Sequence, residues 1–161
     1  MAGPRRHDAR PPPPVLASGE IVDDTPPPLP LGTPLLLIKP PAGLPTPAVF
    51  KALDLATRSA ADPRALAAGL ASSRAASRAL CVNDLEPPAF ALMPTLERAK
   101  ARLAASGFDA AFMSGSGSTL VGVGPAPRPA WLDDPEYRDW FVARSALIAR
   151  APGGWYEGPK A

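Results

Sequence analysis

The residues best suited to chemistry lie in the segment MSGSGSTLVGVG, residues 113–124, where glycine and serine alternate between two apolar stretches. Glycines reach the positive φ values at which successive backbone N–H groups converge on an anion, and serine hydroxyls add further donors. The composition of Ser114–Thr119 therefore suits phosphate binding.

The spacing of this segment matches neither familiar phosphate-binding fingerprint. A P-loop needs Gly-Lys after four intervening residues, and residues 101–159 contain no lysine. The Rossmann pattern needs a third glycine where Leu120 stands, and a helix where a strand pattern follows. From spacing alone, a flexible connection between two strands is the favoured interpretation.

A second polar cluster, Asn83, Asp84 and Glu86, lies in VNDLEPPAF just before a proline pair. Such carboxylates could serve as a general base, but residues of these types also cap and brace a helix. Structural bracing is the favoured interpretation. The sequence thus offers no residue that we would assign to catalysis.

The sequence gives little support for a metal site or a disulfide bond. One cysteine, Cys81, and one histidine, His7, cannot form a disulfide framework or a thiolate–imidazole metal site within one chain. We expect Cys81 to be a small buried hydrophobe. Asp133 and Asp134 lack the oxygen-ligand spacing of a calcium loop and are expected to face solvent.

Charge and hydropathy exclude several classes of partner. The 17 Lys and Arg against 15 Asp and Glu give a net charge of +2, and the basic residues are scattered singly, so no nucleic-acid surface is predicted. The apolar run LLLI at 35–38 is far below the roughly 18 residues of a membrane span, which predicts a soluble protein. Arg5, Arg6 and Arg10 hint at a targeting peptide, but Asp8 and the nearby prolines argue against assigning one.

Proline sets the predicted domain boundaries. Fourteen of the 24 prolines fall in the first 47 residues, where each removes a backbone donor and fixes φ. Residues 1–32 are therefore predicted to be a disordered tail or extended lead-in, 33–156 the folded domain, and 157–161 a short tail.

Hydrophobic periodicity and terminator residues define the elements of that domain. Thr46 and Asp62, each followed by proline, are predicted helix caps, and Leu92, Leu96, Ala99 and Leu103 form the clearest helical stripe. Residues 72–80 fit either a helix extension or a loop. The first half of the predicted order is a strand over 34–39, a helix from Thr46 with Val49, Phe50 and Leu53 on its apolar side, and a helix from Asp62 with Leu66 and Leu70 inward. A helix that includes Leu92 and ends just before Gly107 follows, then strands over 109–113 and 119–124, one helical turn within 125–141, and a strand within 141–150. This order predicts an α+β domain, an antiparallel sheet with helices packed on one face.

Three ordered blocks, GTPLLLIKPPAGLPTPAVFKALDL, CVNDLEPPAF and FMSGSGSTLVGVG, carry a family resemblance. From about Gly19 to the GWY at 154–156, the chain resembles the C-terminal half of the plant and algal 4-diphosphocytidyl-2-C-methyl-D-erythritol kinases, a family of the GHMP kinase superfamily. The resemblance implies the fold of a GHMP kinase C-terminal domain.

The same resemblance implies two binding segments. Ser114, Gly115, Ser116, Gly117, Ser118 and Thr119 would be the superfamily's third motif, beside the nucleotide phosphates where two domains meet. Thr46 and Phe50 would border the pocket for the cytidine end of the substrate, with the aromatic ring against the base. The residues themselves leave a plainer interpretation open, in which Thr46 only caps a helix and Phe50 only packs in the core.

The resemblance further implies ATP-dependent phosphorylation of a 2-hydroxyl in non-mevalonate isoprenoid synthesis in plastids, with ATP and Mg²⁺ in the complete enzyme. The family's ATP loop, catalytic aspartate and lysine have no counterpart in the sequence. We therefore expect a fragment without catalytic residues, inactive without a covalently linked N-terminal kinase domain. The alternatives are a non-catalytic remnant that binds nucleotide or cytidine, and an interaction protein that uses RPPPPV and PPPLP as polyproline ligands.

Overall fold

A computed structural model of the protein describes residues 27–149. Most of the predicted lead-in over 1–32, the GWY at 154–156 and the predicted tail over 157–161 lie outside the described residues, and these boundaries stay predictions. The elements are β1 (Pro34–Lys39), α1 (Thr46–Lys51), α2 (Pro63–Ser73), α3 (Glu86–Leu92), α4 (Pro94–Ala104), β2 (Ala110–Met113), β3 (Leu120–Val123), a 3₁₀ turn (Ala130–Asp133) and β4 (Phe141–Ala146).

The four strands form one antiparallel sheet in the order β2-β3-β1-β4. β1 is central, with Leu36 opposite Gly122 of β3 and Arg144 of β4. Among residues 27–149, β2 pairs with β3 alone, with Phe112 opposite Val121, and is therefore an edge strand of the described sheet. The predicted antiparallel α+β architecture is confirmed.

The main core lies between the sheet and helices α1, α3 and α4. Alternate strand residues such as Ile38, Met113 and Leu120 point to this side, because successive side chains of a strand face opposite ways. The predicted stripe of α4 meets them with three fully buried side chains, which are Leu96, Ala99 and Leu103.

The opposite face of the sheet has its own smaller cluster. Val121, Val123 and Ala76 belong to this cluster, and Leu70 of α2 and Cys81 pack against it. Helix α2 continues to Ser73, so in the open segment 72–80 the first two residues extend the helix and residues 74–80 form a connection.

Two helical predictions were wrong in detail. The stripe that began at Leu92 is broken, since Leu92 ends α3 and is 47% exposed, and α4 starts at Pro94 after the extended Met93. Proline has no backbone N–H to donate, and it disfavours helical geometry in the residue before it. Pro94 therefore keeps α3 and α4 separate. Helix α3 itself was not predicted.

The cap at Asp62 was predicted correctly, since its carboxylate accepts from the N–H of Arg64 at 2.9 Å. We expect Asp62→Ala to lower the free energy of unfolding by about 1 kcal/mol, because a free N–H of the first turn loses its acceptor. Urea denaturation of the full chain measures this. Asp62→Ser, which keeps an acceptor, should retain most of the stability, and equal midpoints for Asp62→Ala and the unmodified chain would contradict the prediction.

None of the helices between residues 27 and 149 combines the length and apolar character that crossing a bilayer requires.

Candidate functional site

The glycine loop, Ser114–Thr119, joins β2 to β3 by a tight turn. Two backbone bonds close it, from the N–H of Ser114 to the carbonyl of Thr119 at 2.9 Å and from the N–H of Gly117 to the carbonyl of Ser114 at 3.0 Å. Gly115 and Gly117 both have positive φ, 55° and 88°. Ser114 and Gly115 are exposed, whereas Ser118 is buried. The loop thus has the left-handed glycines that an anion nest needs, with one end open to solvent.

Asn83 and Glu86 hold the start of this loop, and we call these two side chains the clamp. The Asn83 amide donates to the carbonyls of Met113 and Gly115, both at 2.8 Å, while Glu86 accepts from the N–H of Met113 at 2.8 Å. Because β2 is an edge strand, these outward backbone groups have no strand partner and the clamp satisfies them.

Each member of the clamp is itself anchored. Asn83 accepts from the N–H of Leu85 at 3.0 Å, and the second carboxylate oxygen of Glu86 pairs with Lys100 of α4. Asp84 accepts from both the N–H and the hydroxyl of Ser59 at 3.0 Å. Asn83, Asp84 and Glu86 thus make structural hydrogen bonds, but the prediction that they cap and brace a helix was wrong: the position before α3 is Leu85, without a side-chain cap, and the three side chains hold the glycine loop and the connection between α1 and α2.

Thr46 reaches the glycine loop from the other side. Its hydroxyl lies 2.9 Å from the hydroxyl of Ser116, and the position before α1 is Pro45, with no side-chain cap. The prediction that Thr46 caps the helix was therefore wrong: Thr46 is the first helical residue, and its hydroxyl bonds to the loop instead.

Phe50 lies one turn along α1 from Thr46 and is 55% exposed, while Val49 is fully buried. Neighbouring helical residues point about 100° apart, so Val49 and Phe50 cannot both face the core. The interpretation of Phe50 as a core residue was wrong. The structure brings Thr46 to the glycine loop and leaves the Phe50 ring available on the same short helix.

Two adjoining depressions surround the clamp. One of about 440 Å³ borders the loop at Ser114 and Gly115 and is also lined by Cys81 and Asn83. Another of about 610 Å³ shares Cys81 and Asn83 and extends along α3 and α4 to Phe90 and Glu97. The loop therefore lies at one end of a surface groove.

The Cys81 thiol lines this groove, whereas Asp133 and Asp134 do not. Burial raises the pKa of the Cys81 thiol, and the negative charge of Glu86 raises it further, so the thiol is protonated at neutral pH. Asp133 and Asp134 are largely exposed and pair with Arg128 and Arg102. Between residues 27 and 149, no three Cys, Asp or Glu side chains lie close enough to hold a metal ion.

Residues 62–130 match the family model for GHMP kinases C terminal. A solved structure titled "Crystal structure of 4-(cytidine 5'-diphospho)-2C-methyl-D-erythritol kinase" superimposes on 72% of this chain and 43% of its own, with 29% identity and a TM-score of 0.51. Residues 62–130 form a GHMP kinase C-terminal domain. The family resemblance and the fold predicted from the three sequence blocks are confirmed.

Two sequence relatives of this chain are named as the same enzyme. The 4-diphosphocytidyl-2-C-methyl-D-erythritol kinase, chloroplastic, of Arabidopsis thaliana is 45% identical over 145 residues, 88% of this chain and 38% of the relative. The kinase of the same name from Cereibacter sphaeroides is 40% identical over 140 residues, 86% of this chain and 46% of the relative. The chain therefore spans less than half the length of these relatives.

Two features of the site were not predicted from the sequence. Lys100 of α4 pairs with Glu86 of the clamp. Ser118 of the glycine loop donates to the carbonyl of Ala42 at 3.3 Å, and a bond between residues 76 positions apart carries no local signal.

Proposed function

We propose that this chain is the substrate-binding, C-terminal part of a 4-diphosphocytidyl-2-C-methyl-D-erythritol kinase. The complete enzyme would transfer the terminal phosphoryl group of ATP to the 2-hydroxyl of the substrate named in its relatives. The contact between Thr46 and Ser116 carries this proposal, because it joins the two segments proposed to bind substrate and nucleotide.

In this proposal, the glycine loop contacts the phosphates of ATP. Its exposed Ser114 and Gly115 and its two left-handed glycines suit an anion. Ser114–Thr119 contain hydroxyl and N–H donors but no carboxylate, so the loop fits the phosphates of the nucleotide and not the Mg²⁺ that accompanies them.

Thr46 and Phe50 would receive the cytidine end of the substrate. An exposed aromatic ring next to a hydrogen-bonding hydroxyl offers a base both a stacking surface and a polar partner. Such a wall supplies position, whereas phosphoryl transfer also needs a base, a metal and in-line alignment. We propose that a covalently linked N-terminal kinase domain supplies these, since the relatives are more than twice as long as the matched region.

The plastid is the proposed location, because the Arabidopsis relative and its counterparts in tomato and rice are named as chloroplastic.

Phe50→Ala tests the substrate wall. We expect it to weaken binding of the cytidine substrate to the full chain about 10-fold in calorimetry, since stacking on an aromatic ring contributes about 1–3 kcal/mol per base. Phe141→Ala is the matched control, because Phe141 is equally exposed, at 59%, but lies on β4 and outside the proposed site. Equal affinities of the Phe50→Ala and Phe141→Ala variants would contradict the assignment of Phe50.

A complementation assay tests the reaction. The chain is fused to the N-terminal part of the Arabidopsis relative, and substrate-dependent consumption of ATP is measured for the fusion and for the chain alone. We expect turnover only in the fusion. Substrate binding without turnover in the fusion would favour a non-catalytic binding remnant. Turnover by the chain alone would contradict the proposal that the N-terminal domain supplies the catalytic groups.

A further inference from the structure

We propose that the glycine loop and helix α1 form one coupled unit, in which an anion on the loop raises the affinity of the Thr46–Phe50 surface for cytidine. This inference rests on the proposed function, since it concerns the same two subsites, but it assigns them a linkage that separate binding would not have.

The coupling rests on two hydrogen bonds between the loop and the segment Ala42–Thr46. Ser116 contacts Thr46 through their hydroxyls at 2.9 Å, and Ser118 donates to the carbonyl of Ala42 at 3.3 Å. Gly117 lies between them and leaves little free space on this side, since an added Cβ would lie 3.4 Å from the Leu44 side chain. The loop is thus bonded to both ends of the segment, and a shift of the loop is passed to it.

The segment is built to transmit such a shift. Pro45 fixes one φ angle within it, and Pro40, Pro41 and Pro47 fix the φ angles on either side, which limits how a displacement can be absorbed locally. The carbonyl of Pro45 accepts from Ala48 at 2.9 Å and from Val49 at 3.2 Å, which closes the first turn of α1. Phe50 lies one turn beyond Thr46 on this helix, so a displacement of Thr46 reaches the ring.

The paired hydroxyls also link the two subsites chemically. Either oxygen of the Thr46–Ser116 pair can be the donor. An anion bound to Ser116 accepts a hydrogen bond from the Ser116 hydroxyl, so within the pair Thr46 donates and Ser116 accepts. The Thr46 oxygen is thereby left as an acceptor for a donor group of the second ligand. Occupation of the loop by an anion therefore favours a ligand that presents an N–H or O–H to Thr46.

The linkage is measured by amide NMR titration of the full chain with two probes, tripolyphosphate for the loop and cytidine, which carries no phosphate, for the α1 surface. We expect saturating tripolyphosphate to lower the dissociation constant of cytidine about 5-fold, the range of one hydrogen bond. Linkage requires cytidine to tighten tripolyphosphate by the same factor.

Thr46→Val and Ser116→Ala should each reduce this factor to about 1 while both probes still bind, and the double variant should match the single ones. Thr46→Ser restores the hydroxyl and should restore the coupling. Thr33→Val is the matched control, because Thr33 is a half-buried threonine whose hydroxyl donates to the carbonyl of Pro30 and lies outside the two proposed subsites. Its coupling should equal that of the unmodified chain.

The outcomes separate this inference from the proposed function. A factor of 1 in the unmodified chain, or coupling that persists in Thr46→Val and Ser116→Ala, overturns the linkage and leaves the two binding assignments intact. Failure of both probes to bind overturns the proposed function, and the linkage with it.

Discussion

Replacing Glu86 by alanine is expected to lower the free energy of unfolding by about 3 kcal/mol, as is typical when one partner of a largely buried ion pair is removed. The Glu86 side chain is only 12% exposed and that of its partner Lys100 26%. Loss of the carboxylate removes the partner of the Lys100 ammonium group. It also removes the acceptor of the Met113 N–H, which donates to Glu86 at 2.8 Å. Urea denaturation of the full chain, followed by circular dichroism, measures the effect.

Three further variants identify the cause. Glu86→Gln keeps an acceptor for Met113 but removes the charge, so its loss should be about half that of Glu86→Ala. Lys100→Met keeps the aliphatic stem beside Phe90 but removes the ammonium charge, so it tests the ion pair through Lys100 instead of Glu86. Glu136→Ala is the matched control: Glu136 pairs with Arg98 on an exposed surface, and we expect no measurable change in stability. Equal denaturation midpoints for Glu86→Ala and Glu136→Ala would contradict the prediction.

The second large effect is expected at Gly117. Its φ of 88° is strained for any residue with a Cβ, and that Cβ would lie 2.8 Å from the sulfur of Met113. Met113 is 1% exposed and cannot move aside freely. Strain and overpacking together predict that Gly117→Ala lowers the free energy of unfolding by about 3 kcal/mol and weakens tripolyphosphate binding at least about 10-fold.

Two other glycines separate the contributions to this effect. Gly115 also has a positive φ, 55°, but nothing lies within 4 Å of its added Cβ, so Gly115→Ala isolates backbone strain, about 1 kcal/mol. Gly43 has open space and no positive φ, and Gly43→Ala should leave stability unchanged. If Gly117→Ala and Gly115→Ala unfold at the same urea concentration, the contacts with Met113 and Leu44 have no energetic weight.

The elements that could be predicted are those whose signal is local. The period of Leu96, Ala99 and Leu103 and the apolar runs of β1, β2 and β3 depend only on neighbours in sequence, and these elements were found close to their observed limits. The Asp62 cap is equally local, because the acceptor and donor lie two residues apart.

The site was harder to predict because its contacts join distant parts of the chain. Thr46 and Ser116 are 70 residues apart, and the local preference of a threonine before proline favours a cap, which the contact with Ser116 overrides. Asn83 was identified as a bracing residue, but its target, 30 and 32 residues away, depends on β2 being an edge strand. Phe50 was misjudged because the choice between Val49 and Phe50 for the inward position is made by the sheet and not by α1.

The position of β2 at the border of the sheet has a consequence for how this site can change in evolution. In the described part of the chain the loop leaves a strand with a neighbour on one side, so the outer side of this strand is held by side chains and not by backbone pairing. Substitutions that keep a donor at position 83 and an acceptor at position 86 can therefore alter the shape of the loop while β1 and its two partners stay as they are. In this domain the geometry of the loop can change without a change in strand order.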